Sequence, residues 1–164
     1  MKRPNTKNNK TRHYTIPVFI PGIACPFQCI FCDQEKITGK EKLPSHEEIL
    51  KTISLHLSTI PKENTTIEIG FFGGTFTGLP LKTQEHLLET VRPFIESGAV
   101  QGIRLSTRPD FISSEILDML KRNHVNTIEL GAQSMDDEVL SLSGRGHTTS
   151  GTEKASEMIL ADAR

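Results

Sequence analysis

Three cysteines within eight consecutive positions constrain this chain more than any other feature of its sequence. Residues 25–32 read CPFQCIFC, so Cys25, Cys29 and Cys32 follow a C-x3-C-x2-C spacing, and no cysteine occurs elsewhere. Three cysteines this close together in the sequence do not form a conventional disulfide framework. Thiolates two or three residues apart on one loop can reach a single inorganic centre, so the spacing predicts a metal or redox site.

Three protein ligands leave such a centre incomplete. On an iron–sulfur cluster of the [4Fe–4S] type, three cysteines leave one iron without a thiolate and free to chelate another molecule. A zinc site is the alternative, and it normally needs a fourth ligand from a second cysteine pair or a histidine pair. The six histidines are scattered and no second cysteine pair exists. The spacing favours the cluster, with zinc or unliganded thiols as the remaining alternatives.

The composition indicates one domain with a polar beginning. A chain of 164 residues can bury a core, and its net charge of -1 gives no overall basic field for nucleic acid. Residues 1–13 hold five lysines and arginines and no acid, which predicts a disordered basic tail; an RNA-binding arm is the alternative. No apolar run reaches the roughly 18 residues of a membrane span, and the start is no signal peptide. We therefore expect a cytoplasmic protein with no membrane segment.

Strand and helix patterns alternate along the rest of the chain. A capping box at Ser45 and Glu48 opens the first predicted helix, Ser113 opens the third, and Pro17 suggests that the first strand lies at an edge. This alternation predicts an α/β fold of four βα units on a parallel sheet. The predicted strands are residues 14–20, 67–72, 103–107 and 127–130, with helices near residues 45–60, 87–98, 113–120, 135–142 and 150–163.

Glycine-rich and polar segments follow each predicted strand. The cysteine loop follows the first strand, residues 73–75 (GGT) the second, residues 106–110 (STRPD) the third, and Gln133 the fourth. In a parallel βα barrel the chemistry lies at the carboxyl ends of the strands. We therefore expect these four segments to meet on one rim.

The segment CPFQCIFC resembles the signature of the radical SAM superfamily, with Phe31 as the aromatic residue before the last cysteine. The later segments, STRPD and residues 129–134 (ELGAQS), resemble the branch that contains the Elongator catalytic subunit and oxygen-independent coproporphyrinogen oxidase-like proteins. The resemblance implies a partial parallel βα barrel whose [4Fe–4S] cluster binds S-adenosylmethionine through its open iron. It also implies a reductant such as flavodoxin or ferredoxin, and a 5′-deoxyadenosyl radical that abstracts hydrogen from a substrate.

The resemblance further implies roles for individual residues around S-adenosylmethionine. Each also has a simpler interpretation. Phe31 could pack in the core, the glycines and the STRPD segment could form turns, and Arg145 could be a solvated cation. The expected metal ligands are Cys25, Cys29 and Cys32. The expected cofactor contacts are Phe31 beside the adenine, Gly73, Gly74 and Thr75 at the methionine ammonium, and Ser106, Arg108, Gln133 and Arg145 towards the ribose and carboxylate.

A barrel of this family generally has six βα units, of which this chain supplies about four. Residues 14–164 therefore read as the N-terminal portion of a radical SAM core domain, with the C-terminal half of that domain expected as a missing partner. The sequence does not choose between tRNA and a small molecule as substrate, and it identifies no catalytic residue. A truncated, inactive remnant and a plain metal-binding module remain the alternatives.

Overall fold

A computed structural model describes residues 11–33, 36, 39 and 42–162 of the chain. Most of the predicted basic tail, residues 1–10, lies outside the described residues. The strands are β1 (Arg12–Ile20), β2 (Thr65–Gly73), β3 (Gly102–Thr107) and β4 (Val125–Leu130). The helices are α1 (His46–Thr59), α2 (Leu81–Glu96), α3 (Ser114–Arg122), α4 (Asp137–Leu142) and α5 (Thr149–Asp162).

The four strands form one parallel sheet in the order β1-β2-β3-β4. The predicted α/β fold with a parallel sheet is thus confirmed. Arg12 and His13, which were assigned to the predicted tail, pair with Thr65 and Thr66 and so belong to β1. Pro17 lies in β1 at an edge of the sheet, where its missing N–H costs no ladder hydrogen bond on the outer side.

Alternate strand residues build a continuous apolar core on one face of the sheet. Side chains of successive strand residues point to opposite faces, so every second residue faces the helices. The core cluster includes Ile16, Ile69, Phe71 and Ile103 from the strands, all fully buried. Helices α1, α2 and α3 complete it with apolar residues, among them Ile53, Val91 and Met119.

The other face of the sheet carries a network of charged side chains next to Phe19 and Phe72. Arg104 of β3 pairs with Glu68 of β2 at 2.9 Å and with Glu129 of β4 at 2.8 Å. Glu68 also contacts His13 at 2.9 Å, and Glu129 accepts a hydrogen bond from Ser106 at 2.9 Å. A parallel sheet is usually apolar on both faces, so these charged side chains distinguish this face from the apolar core.

Two helix starts follow the sequence closely, and two others differ. Helix α2 begins at Leu81, six residues before the range in which its apolar pattern was recognised. Ser45 and Glu48 form the predicted capping box of α1, and Ser113 caps α3. Helix α4 begins at Asp137, two residues later than predicted, because the Asp136 carboxylate accepts from the N–H groups of Glu138 and Val139. No helix in the described part of the chain is long and apolar enough to cross a membrane.

Candidate metal and cofactor site

An open cleft of about 430 Å³ lies at the carboxyl ends of the strands. Each of the four strands is followed by a segment that contributes to its wall, as the rim prediction requires. All predicted site residues line this cleft except Cys29, which is buried with 6% of its surface exposed. The lining residues are Cys25, Phe31, Cys32, Gly73, Gly74, Thr75, Ser106, Thr107, Arg108, Glu129, Leu130, Gly131, Gln133 and Arg145.

The cysteine loop leaves β1 through a single 3-10 turn at Gly22–Ala24. The Cys25 N–H donates to the Gly22 carbonyl at 3.0 Å, and the Cys32 N–H donates to the Cys29 carbonyl at 3.0 Å. These two local bonds fold the loop back on itself. The three thiols are not joined by disulfides, so each can act as a ligand.

The three cysteines form a donor set that a multi-iron cluster could use. Within the described residues, no three histidine, cysteine or acidic side chains lie close enough together to hold one metal ion. The thiolates of a [4Fe–4S] cluster bind different irons, so they need not converge on one point. Three cysteines on one loop beside the cleft therefore fit such a cluster.

A distant segment, residues 143–146, holds the cysteine loop in place. The Ile30 N–H donates to the Ser143 carbonyl at 3.1 Å, and the Cys29 thiol lies 3.8 Å from the Gly144 carbonyl. Gly146 adopts a φ of +80°, and a Cβ there would lie 2.3 Å from the ring of Phe27. Only glycine accepts both the backbone conformation and the close contact.

The glycine segment after β2 touches the start of the cysteine loop. Gly73 has a φ of +101°, which a side chain would disfavour. The Gly74 N–H donates to the Ile20 carbonyl at 2.7 Å, and a Cβ on Gly74 would lie 2.3 Å from the Pro21 carbonyl oxygen. Thr75, next in the chain, is 5% exposed and lines the cleft. The pair is therefore more than a turn, because it lets two walls of the cleft meet.

Two buried arginines lie beside the cysteine sulfurs. Arg108 Nη1 is 3.9 Å from Cys25 Sγ, and Arg145 Nη1 is 3.7 Å from Cys29 Sγ. Arg145 Nη2 also donates to the Gly131 carbonyl, whereas its Nε is buried without a partner among the described residues. Burial alone lowers the pKa of Arg108, but the hydrogen bonds and charge of Asp110, with Cys25 and Cys29, outweigh it and raise that pKa. Arg108 is therefore a permanent cation in this site.

A strained residue in the loop after β4 lies near a buried imidazole from the segment between α4 and α5. Gln133 has a φ of +68°, a conformation that costs a residue with a side chain about 1 kcal/mol or more and is concentrated at functional sites. His147 is 8% exposed, and burial, followed by the charge of Arg145, lowers its pKa. Because a carbonyl oxygen can only accept, Nε2 is the donor in its 3.2 Å hydrogen bond to Ala132, the residue before Gln133.

The remaining predicted residues lie in the open part of the cleft. Phe31 is 54% exposed, so the alternative that it packs in the core is wrong. Ser106 is held by its hydrogen bond to Glu129. Sequence reasoning did not select four lining residues, Thr107, Glu129, Leu130 and Gly131, although all belong to or adjoin the strand ends that carried the resemblance. Their place at the strand ends was the available signal.

The sequence profile of the Radical SAM superfamily matches residues 19–161. An uncharacterized protein of Methanocaldococcus jannaschii is 32% identical over 91% of this chain and 48% of its own length. The heme chaperone HemW of Lactococcus lactis is 29% identical over 76% of this chain and 32% of its own. The tRNA uridine(34) acetyltransferase of Methanocaldococcus infernus is 25% identical over 82% and 32%. The chain thus spans a third to a half of the length of these relatives.

Solved structures with the same fold include two from the predicted branch. The archaeal Methanocaldococcus infernus Elp3 with an N-terminal deletion has a TM-score of 0.61 at 20% identity, over 89% of this chain and 34% of its own. The coproporphyrinogen III oxidase HemN of Escherichia coli has a TM-score of 0.54 at 21% identity, over 97% and 36%. At these identities the likeness establishes the fold, a partial parallel βα barrel.

Proposed function

Because the chain belongs to the radical SAM superfamily, we propose that it binds a [4Fe–4S] cluster through Cys25, Cys29 and Cys32 and S-adenosylmethionine in the adjoining cleft. When bound, this pair supplies reductive cleavage of the carbon–sulfur bond of the cofactor and, with it, hydrogen abstraction from a substrate. The observation that carries the proposal is the cleft itself, because residues from four separate strand ends meet there with two of the cysteines.

Different residues around the cleft contact different parts of S-adenosylmethionine in this proposal. The exposed ring of Phe31 offers an apolar surface for adenine. The segment Gly73–Thr75 presents backbone groups and a hydroxyl to the methionine ammonium, and no glutamate stands there to add a charge. Gln133 presents amide groups to the ribose. Arg145 keeps a buried Nε donor that no described residue uses, which suits a carboxylate.

The polar sheet face below this cleft is the proposed place for the substrate. It is lined by Glu68, Arg104 and Glu129 rather than by an apolar core, so it favours a substrate with hydrogen-bonding groups. The relatives include both a tRNA uridine(34) acetyltransferase and a heme chaperone, so tRNA and a small molecule both remain candidates. A reductant such as flavodoxin or ferredoxin, in a reducing compartment such as the cytoplasm, completes the proposal.

The test of the cluster is anaerobic reconstitution of the full chain with iron and sulfide. We expect a brown protein that binds about four irons per chain, and loss of the cluster when Cys25, Cys29 or Cys32 is replaced by alanine. Ser54→Ala, on the exposed side of α1, is the matched control and should bind the same amount of iron. Stoichiometric zinc with no iron–sulfur absorption would contradict the proposal.

The test of the cofactor is spectroscopic. Adding S-adenosylmethionine to the reduced cluster should change its electron paramagnetic resonance spectrum, because the open iron acquires new ligands. Formation of 5′-deoxyadenosine under strong reductant then separates an enzyme from a plain iron–sulfur module. A cluster that shows no response to millimolar cofactor would support the module instead.

A further inference from the structure

Arg108 is the largest fully buried side chain of the protein's described residues, with 2% of its surface exposed. It follows β3 directly and lines the cleft, where the resemblance assigned it to S-adenosylmethionine. A buried guanidinium is costly unless its donors are satisfied, so its partners reveal its role.

Most of the donors of Arg108 are already engaged. Nε and Nη2 donate to the two carboxylate oxygens of Asp110, each at 2.9 Å, which uses the planar fork that would grip a carboxylate of the cofactor. Nη2 also donates to the Arg145 carbonyl at 2.6 Å. A guanidinium has five N–H groups, and the pair on Nη1 is what remains.

The remaining nitrogen lies next to a cysteine of the site. Nη1 is 3.9 Å from Cys25 Sγ, and the guanidinium carbon lies 4.5 Å above the ring of Phe27, the second residue after that cysteine. Through the Arg145 carbonyl, Arg108 also fixes the backbone of the residue that reaches Cys29 Sγ at 3.7 Å. One side chain therefore holds both ends of the segment between the first two cysteines.

We propose that Arg108 is a positioning residue of the iron–sulfur cluster. It donates an N–H···S hydrogen bond to Cys25 and is not a ligand of S-adenosylmethionine. The inference rests on the proposed cluster. Hydrogen bonds to the sulfurs raise the reduction potential of a cluster, because the reduced form carries more negative charge and gains more from each donor. Asp110 neutralises the cation, so the effect comes from the directed N–H group rather than from net charge.

The test is the midpoint potential of the reconstituted full chain. Replacing Arg108 alone would leave Asp110 unpaired, so the informative variant is R108Q/D110N, which removes both charges together. At the midpoint of the parent protein we expect the ratio of reduced to oxidised cluster to fall about tenfold, which corresponds to about 59 mV for a one-electron couple. The affinity for S-adenosylmethionine should change less than threefold.

The matched control is K121Q/D162N. It also removes one ion pair, between α3 and α5, and neither of its side chains lines the cleft. Its midpoint potential should stay at the parent value. If both double variants shift the potential equally, or if R108Q/D110N leaves it unchanged, the proposed hydrogen bond to Cys25 is wrong.

A second measurement needs no substitution and covers the case in which the double variant does not fold. In the parent protein labelled with ¹⁵N at the arginine guanidinium groups, the reduced cluster should show two ¹⁵N hyperfine couplings, because Arg108 lies beside Cys25 and Arg145 lies beside Cys29. A reduced cluster with fewer than two such couplings would overturn the inference and leave the proposed function intact. A parent chain that forms no cluster would instead overturn the proposed function.

Discussion

Replacing Gly74 by alanine tests how closely the two walls of the cleft meet. The Gly74 N–H donates to the Ile20 carbonyl at 2.7 Å, where β1 passes into the cysteine loop. An added Cβ would lie 2.3 Å from the Pro21 carbonyl oxygen and 3.0 Å from the Pro21 carbonyl carbon. Both contacts are with backbone, so no side-chain rotation relieves them.

The size of the effect follows from this overlap. Non-bonded heavy atoms prefer roughly 3.5–4.0 Å, so the two backbones must separate by about 1 Å. Overpacking of this kind costs about 1–3 kcal/mol of folding free energy. In a domain of this size each kcal/mol lowers the melting temperature by about 2–4 °C, so Gly74→Ala should lower it by about 2–12 °C.

Thermal unfolding followed by circular dichroism measures this change, with urea unfolding as a check on the free energy. Gly151→Ala is the matched control, because a Cβ there would meet only the Thr148 hydroxyl oxygen at 3.5 Å. Gly151 lies in α5, where alanine is favoured over glycine by about 0.5–1 kcal/mol, so the control should be slightly more stable than the parent. If Gly74→Ala is as stable as the parent, the close approach is wrong.

Three further outcomes are expected. Phe31→Ala should leave the free energy of unfolding within about 0.5 kcal/mol of the parent because the ring is exposed. It should weaken S-adenosylmethionine binding by about 1–3 kcal/mol, because stacking on the adenine is lost. Calorimetry measures both quantities, and an unchanged affinity would contradict the assignment of Phe31 to the adenine. The pKa of His147 is lowered in the folded protein, so the unfolded chain binds a proton there more readily. The free energy of unfolding should therefore be highest above about pH 6.5 and decrease as the pH falls below it. In urea titrations, His147→Gln should lack this dependence on pH. β4 is an edge strand of the described sheet, so the protein should associate through the outer edge of β4 as its concentration rises, measured by light scattering; a monomer at every concentration would refute this.

Local patterns in the sequence predicted the elements of the fold and the identity of the centre. The alternation of strand and helix signals, with caps at Ser45 and Ser113, is written within segments of a few residues, and the structure confirms it. The start of α4 was placed early because the pattern does not distinguish Ser134 from Asp136 as the cap. The cysteine spacing was equally local, since all three thiols belong to one loop.

Contacts between distant segments were decided only by the tertiary structure. Cys29 meets Gly144 and Arg145, and Phe27 fills the space that a side chain at residue 146 would need. Nothing in either segment alone indicates such partners, because they are brought together by the sheet rather than by sequence proximity.

Arg108 shows the difference most clearly. Its sequence neighbours predicted a residue at the rim of the cleft, and it lies there. Which group each of its nitrogens reaches was set by the fold, which places Asp110, the Arg145 carbonyl and Cys25 around one buried guanidinium. The sequence by itself determined that a cation follows β3. Only the tertiary structure decided that this cation lies beside a cysteine sulfur, because a buried cation is stabilised by whichever groups the packing brings near it.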